Sequence, residues 1–339
     1  MNASAATSAP ARVGAALARL AVATALTAYV FWKSHPREVL NALAPADWRP
    51  ILIAVLLVLA DRALNFYRWV ALLCIVDRAR RPPLSALMRI FFVSSFVGTF
   101  LPASVGGEAV RAYSLARLDV GAGDAVASVF MDRMLGLAST LLLGLVGLTL
   151  VTGLARSPAI RIVFGAGTTV WVLTLLLVFS ARAAALGGHL ARRLPGALHS
   201  AIHSMLESVR RYGTHHLRLV NVLVCSLAVQ GLRIVQAYYL GRGLGIAAPL
   251  SAYVAFIPSI LLVMLLPVTF NGIGTSQIAF VSFFARAGVS AGPAFALSVL
   301  FVALGVVGNL PGGILYTVGR HAGSGARAPR DRDDRPQPT

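Results

Sequence analysis

Four arginines and two carboxylates fall inside or beside stretches that are otherwise apolar: Arg68, Arg111, Arg133 and Arg233, with Glu108 and Asp132. Guanidinium groups hold phosphate through forked, charge-assisted hydrogen bonds, and they keep their charge at any ordinary pH. Glu108 and Asp132 would balance that charge when the set is empty, or meet an amine on the substrate. The same residues support a second arrangement, with Glu108 to Arg111 and Asp132 to Arg133 as internal ion pairs that fix local structure. Residue types alone leave both readings open.

The chain around these residues reads as a membrane protein. It has 339 residues, of which 57% are apolar and 12% charged, and its mean hydropathy is +0.77, far from the usual globular balance. Apolar stretches of about 20 residues, enough to cross a bilayer as a helix, recur along the sequence. The spans are read as Val13 to Trp32, Ile51 to Val76, Ala125 to Val151, Ile162 to Ser180, Leu219 to Leu240 and Phe295 to Val318. The first is too long for a signal peptide and has no convincing cleavage site, so it is read as a retained span. Residues 1–12 form a short tail, and 320–339, rich in Arg, Asp, Pro and Gly, cannot bury a core and are expected to be disordered.

Two further apolar runs are broken. Residues 101–111 read LPASVGGEAVR and 266–274 read LPVTFNGIG. Helix breakers at membrane depth survive only where the freed backbone groups are buried in protein or line a polar cavity. Pro102, Gly106 and Gly107, and then Pro267, Asn271, Gly272 and Gly274, are therefore read as hairpin-forming residues. Backbone N–H groups at these turns could add anion contacts.

The two breaks match at an offset of 165 residues: Pro102 with Pro267, Ser104 with Thr269, Gly107 with Gly272. Upstream, the same offset pairs Phe91 with Phe256, Ser94 with Ser259, Asp61 with Ser226, Asn65 with Gln230 and Arg68 with Arg233. Asp61, Asn65 and Arg68 share one helix face, as do Ser226, Gln230 and Arg233. An arginine inside a span costs about 2.5–3.5 kcal/mol on insertion scales, so both should face the bundle interior or water unless they snorkel to an interface. The expected architecture is all-α and polytopic, with two span-hairpin-span repeats of opposite orientation, about 51–151 and 219–318, and a basic linker at 182–218.

The formal net charge of +18 sits mainly in loops and the tail. That distribution fits the positive-inside rule and brings no aromatic-interleaved basic surface for nucleic acid. Placing the basic segments 77–81, 111–117 and 182–218 on one side gives six full spans and two re-entrant hairpins, with both termini cytoplasmic. Eight full spans is the alternative. Cys74 and Cys225 supply neither a disulfide framework nor a metal cluster, and the adjacent His215 and His216 lie in a polar loop. Gly272-Ile273-Gly274 lacks the third glycine of a dinucleotide motif, and there is no nucleophile elbow, zincin motif or P-loop. No cofactor is expected.

The segments LPASVGGEAVRAYSLAR, VASVFMDRMLGLAS and LPVTFNGIGTSQIAF resemble, in order and spacing, the membrane region of lysylphosphatidylglycerol synthases and the stand-alone flippase-like proteins related to it. The resemblance covers roughly residues 13–320. It implies movement of a lipid with a polar head group between leaflets of the cytoplasmic membrane. By motif, the GG-acid-xx-Arg element falls on Gly106, Gly107, Glu108 and Arg111, and the Asp-Arg element on Asp132 and Arg133. The family's second hairpin commonly ends G-x-G-x-R-E, whereas here Ser276 and Gln277 replace the Arg and Glu. The aminoacyl-transfer domain of the full synthases is absent from these residues, so lipid aminoacylation by this chain alone is not expected. The expectation is a lipid transporter, with a homo-oligomer or a lipid-synthesising enzyme as candidate partner. The alternatives are a membrane transferase using Glu108 or Asp132 as base, and a transporter of a small anionic solute.

Overall fold

The computed structural model describes residues 46–76, 82–100, 105–118, 120–151, 158–179, 196–265 and 274–324, together with residues 37 and 44. The expected first span, Pro102, Pro267, Asn271, Gly272 and the tail beyond Ser324 lie outside them. Every described element is helical: α1 (Trp48–Val76), α2 (Leu84–Phe100), α3 (Val105–Ala116), α4 (Ala122–Leu150) and α5 (Pro158–Phe179), then α6 (Gly196–Tyr212), α7 (His216–Gly243), α8 (Leu250–Met264), α9 (Thr275–Phe284) and α10 (Ala291–Ser324). α1, α4, α7 and α10 are each long and apolar enough to cross a membrane. At about 1.5 Å per residue, α2, α3, α8 and α9 reach only about 15–25 Å, short of a hydrocarbon core of about 30 Å.

Three details differ from the sequence reading. The stretch after Glu108, part of a basic segment in the sequence, stays helical to Ala116, with Leu115 fully buried and Ala116 packed against the same apolar cluster. The basic linker contains the amphipathic helix α6, whose Val209 and Tyr212 pack with Leu72 and Ile75 of α1, Ala127 and Met131 of α4 and Val222 of α7. Asp124 at the start of α4 fixes α6 by accepting from Ser208 Oγ at 2.6 Å and Arg211 Nη2 at 2.8 Å. Finally, α10 runs on to Ser324, past the point where a disordered tail was expected.

Successive contacts fix the helix directions. Asp47 N–H donates to the Gly243 carbonyl at 2.9 Å, Arg233 Nε reaches Asp61 Oδ1 at 3.3 Å, and Arg68 Nη1 reaches Ser226 Oγ at 3.3 Å. Arg218 Nη1 meets the Cys74 carbonyl at 3.3 Å near the other end. As the number rises along α1 it falls along α7, so the two helices run antiparallel. α2 and α3 also fold back on each other: Gly98 lies against Gly107, and Ser94 against Arg111.

Close backbone approach sets the spacing. A Cβ on Gly107 would lie 2.6 Å from the Ser94 carbonyl oxygen and 2.8 Å from Gly98 Cα, so only glycine admits this crossing of α2 and α3. Gly147 of α4 and Gly312 of α10 stand 165 residues apart. Both serve the same purpose. A Cβ on Gly147 would sit 2.7 Å from the Val254 oxygen of α8, and one on Gly312 would collide with the Phe92 carbonyl of α2. Where lipid tails are as apolar as leucine, such small residues drive helix association through van der Waals contact. The largest apolar core is built from α7 to α10 around Tyr253, Phe256, Phe280 and Phe284, all within 2% of full burial.

Gly107→Ala is expected to overpack the α2/α3 crossing and cost about 1–3 kcal/mol. Gly231→Ala, on a helix with nothing within 4 Å of the new methyl, should be neutral or stabilising by up to about 1 kcal/mol. Thermal unfolding of the two purified variants in one detergent compares them directly.

Candidate functional site

The polar face of α1 meets four other helices. Arg68 Nε donates to Asp132 Oδ1 of α4 at 2.7 Å and Arg68 Nη1 donates to Ser226 Oγ of α7. On the other Asp132 oxygen, Arg111 Nη1 of α3 approaches to 3.8 Å. Arg111 is held from α2 by Ser94 Oγ at 3.2 Å and Ser95 Oγ at 3.3 Å, and its guanidinium lies over Phe91 at 4.6 Å and Trp69 at 5.2 Å. The aromatic faces contribute an electrostatic attraction that grows where water is excluded. Asp132 is thus shared by two guanidinium groups from two different helices.

Glu108 pairs with Arg133, Oε1 to Nη1 at 2.5 Å, across α3 and α4. The ion pairs are therefore exchanged relative to the in-helix arrangement considered from sequence. Geometry explains the exchange. Glu108 and Arg111 are one turn apart on α3, but α4 presents Arg133 to the first and Asp132 to the second. Adjacent residues on a helix point about 100° apart, and here that difference directs Asp132 and Arg133 to different partners on α3.

A second group forms further along α1. Asp61, only 1% exposed, receives Arg233 Nε of α7 at 3.3 Å and Arg62 Nε at 3.4 Å. Arg62 Nη1 also donates to Asn309 Oδ1 of α10 at 3.0 Å, and Asn309 Nδ2 donates to Thr99 Oγ1 of α2 at 2.9 Å. Between the two groups, Gln230 binds Thr140 Oγ1, and Asn65 Nδ2 donates to the Asp61 carbonyl at 2.8 Å. Arg62, Asn309, Thr99 and Ser95 were missed from sequence. Arg62 lies off the shared face of Asp61 and Arg68, and at the offset of 165 its counterpart is Leu227, while that of Asn309 is Gly144. Repeat matching could not find them.

All six expected binding residues, Arg68, Glu108, Arg111, Asp132, Arg133 and Arg233, meet within this network. Of the hairpin residues, Gly106 and Gly107 occupy the first turn of α3 itself, and Gly107 acts through close packing. Gly274 has φ +91° and precedes α9, where its N–H donates to Gln277 Oε1 at 2.5 Å; Ser276 Oγ donates to the same oxygen at 3.0 Å. Gln277, 3% exposed, and fully buried Ser276 therefore close the start of α9 on itself. The start of α9 supplies no charge where α3 supplies Glu108 and Arg111.

Taken together, five guanidinium groups, of Arg62, Arg68, Arg111, Arg133 and Arg233, face three carboxylates, of Asp61, Glu108 and Asp132. The excess of two positive charges lies where desolvation penalises each ion by several kcal/mol. The residues nearest open space are Arg133 at 33%, Arg233 at 29% and Glu108 at 28% side-chain exposure. Such an arrangement can accept a phosphate-type anion, with carboxylates holding the guanidinium groups in place beforehand.

A double-mutant cycle should detect the exchanged pairing. Glu108→Gln and Arg133→Gln are expected to couple by about 0.5–3 kcal/mol in unfolding free energy, as contacting residues do, and Asp132→Asn with Arg133→Gln by far less. Equal coupling in both cycles would contradict the pairing.

A search among curated proteins finds none that matches. The family model described as "Lysylphosphatidylglycerol synthase TM region" matches residues 16–312, most of the chain. That match takes in every residue of the network, from Asp61 to Asn309, including Glu108 and Arg111 of α3 and the Asp132-Arg133 pair. The chain is a member of the lysylphosphatidylglycerol synthase TM region family of integral membrane proteins.

Proposed function

We propose that the protein translocates a lipid with a polar, anionic head group between the leaflets of the cytoplasmic membrane, with both termini on the cytoplasmic side. The observation that carries this reading is the Asp132 centre. There, guanidinium groups of Arg68 and Arg111 share one carboxylate at 2.7 and 3.8 Å, with Arg68 and Asp132 on helices long and apolar enough to cross a bilayer. Buried ion pairs are poor devices for stability, since apolar residues of similar volume usually serve as well or better. Their presence here, across four helices, argues for a ligand that needs them. Phosphodiester oxygens would compete with Asp132 for the two forks, while Arg133 and Glu108 meet the rest of the head group at the more exposed edge.

In this reading α1–α4 and α7–α10 are inverted repeats, and α2/α3 and α8/α9 are hairpins entering from opposite sides. The support is the offset of 165, the antiparallel contacts of α1 with α7, and the parallel roles of Gly147 and Gly312. Rocking of one repeat against the other would expose the site alternately to the two leaflets.

The direct test is reconstitution into liposomes with fluorescent phosphatidylglycerol, followed by reduction of the label in the outer leaflet. Wild type should expose lipid beyond the outer-leaflet fraction without changing it chemically. Arg68→Leu should abolish this, and Arg68→Lys should restore little, because a point charge cannot reproduce the fork. A covalently modified lipid would support a transferase instead.

Topology has its own test. In a background free of Cys74 and Cys225, Leu84→Cys and Leu250→Cys at the exposed starts of α2 and α8 should react with impermeant thiol reagents from opposite sides of the membrane. Reaction from one side only would favour eight full spans.

A further inference from the structure

The charge pattern of the Asp132 centre occurs twice. At the first place Asp132 lies between Arg68 and Arg111; at the second, Asp61 lies between Arg62 and Arg233. The helical repeat relates the two places. Arg68 corresponds to Arg233 and Ser226 to Asp61 at the offset of 165, so the contacts Arg68 to Ser226 and Arg233 to Asp61, both 3.3 Å, are equivalent. Asn65 and its counterpart Gln230 lie between them.

The repeat does not by itself duplicate the charges. The counterparts of Asp132 and Arg111 are Leu297 and Ser276, both neutral. The second place is completed instead by Asp61 and Arg62 of α1, whose own counterparts, Ser226 and Leu227, are neutral too. One carboxylate between two guanidinium groups has thus been assembled from different positions on the two sides of the pseudo-twofold. Asp61 Oδ2 and Arg62 Nε are both buried and neither has a hydrogen-bond partner, although the two atoms stand 3.4 Å apart. The ion pair thus leaves a guanidinium N–H without a hydrogen bond, and a phosphate oxygen on the guanidinium edge would supply an acceptor.

We propose that Arg62, Asp61 and Arg233 form a second anion station for a monoanionic phosphodiester. It lies about 10 Å along α1 from the Arg68 station, from the seven-residue separation of Asp61 and Arg68. That distance exceeds what one phosphodiester spans, so the stations are occupied by one head group in turn or by two at once. Arg233, the more exposed of the two arginines, releases Asp61 to take the phosphate. Arg62 stays fixed by Asn309 of α10, which through Thr99 also touches α2. Occupancy of this station is thereby felt by one helix of each repeat. The inference rests on the reading of the Arg68 centre as a head-group site.

Native mass spectrometry of the full chain, purified with excess phosphatidylcholine and a limiting amount of phosphatidylglycerol, counts the anionic lipids retained. Two per chain are expected for wild type, one for Arg62→Gln, one for Arg68→Gln and none for the double variant. Affinity at the remaining station should be unchanged, and that at the altered one at least about tenfold weaker. Two retained lipids in Arg62→Gln would overturn the proposal. If that variant does not run as a single species, Arg233→Gln and Arg62→Lys decide instead. Two lipids in Arg233→Gln would overturn it, and loss of one there with retention in Arg62→Lys would support it. Displacement of both lipids by inorganic phosphate would overturn the lipid assignment in favour of free phosphate. Two retained lipids with no movement in liposomes would sink translocation and leave the station standing. Movement with an unaltered Arg62→Gln count would do the reverse.

Discussion

The structure depends on the anchoring of Arg68. A guanidinium placed in the middle of a 29-residue apolar helix must find a counter-charge and further acceptors or lose several kcal/mol to desolvation. Arg68 obtains the first from Asp132 of α4 and the second from Ser226 of α7, so one side chain ties three membrane-length helices together. α4 then brings Arg133 to Glu108, and Asp132 reaches out to Arg111, so the short α2/α3 unit is drawn onto the bundle by charge as well as packing. Apolar surface could not do this in lipid, where the hydrophobic effect between helices is weak.

Glycine makes that electrostatic arrangement attainable. Forked contacts need donor and acceptor within about 3 Å, and side chains from five helices reach one another only if the helices approach closely. Gly98 and Gly107 bring α2 against α3, Gly147 brings α4 against α8, and Gly312 brings α10 against α2. At the site itself Gly136 lies under Arg68 at ordinary contact distance, and its carbonyl accepts from Ser139 and Thr140. Small residues and arginines are in this sense one device, the first creating the short distances over which the second interact.

Much of this was legible in the sequence, and the remainder was hidden for identifiable reasons. Arg68 and Arg233 were found because a charge inside an apolar run is conspicuous and the offset of 165 pairs them. Glu108, Arg111, Asp132 and Arg133 were visible as charges, but their partners were not, since the direction in which α4 presents Asp132 and Arg133 depends on how it packs. The glycines at 106 and 107 drew attention as breakers, whereas Gly107 acts as a contact surface inside α3, a role that needs knowledge of Gly98 opposite. Arg62 and Asn309 gave no periodic or repeat signal. Their mutual contact spans 247 residues of chain.

The departures from symmetry are as informative as the symmetry. Here α3 carries Glu108 and Arg111, while its counterpart α9 begins on Ser276 and Gln277 through a self-satisfied helix start. The charge missing from the second half is restored by Asp61 and Arg62, which belong to α1 and so to the first half. Nearly all the chemistry is thus carried by one repeat, and the other contributes Arg233, Ser226, Gln230 and Asn309 as the opposing wall. Asp61, Glu108 and Asp132 thus all belong to α1–α4, together with four of the five guanidinium groups. Arg68 and Arg62 reach across to the neutral acceptors Ser226 and Asn309, and Arg233 to Asp61 is the ion pair that joins α7 to α1.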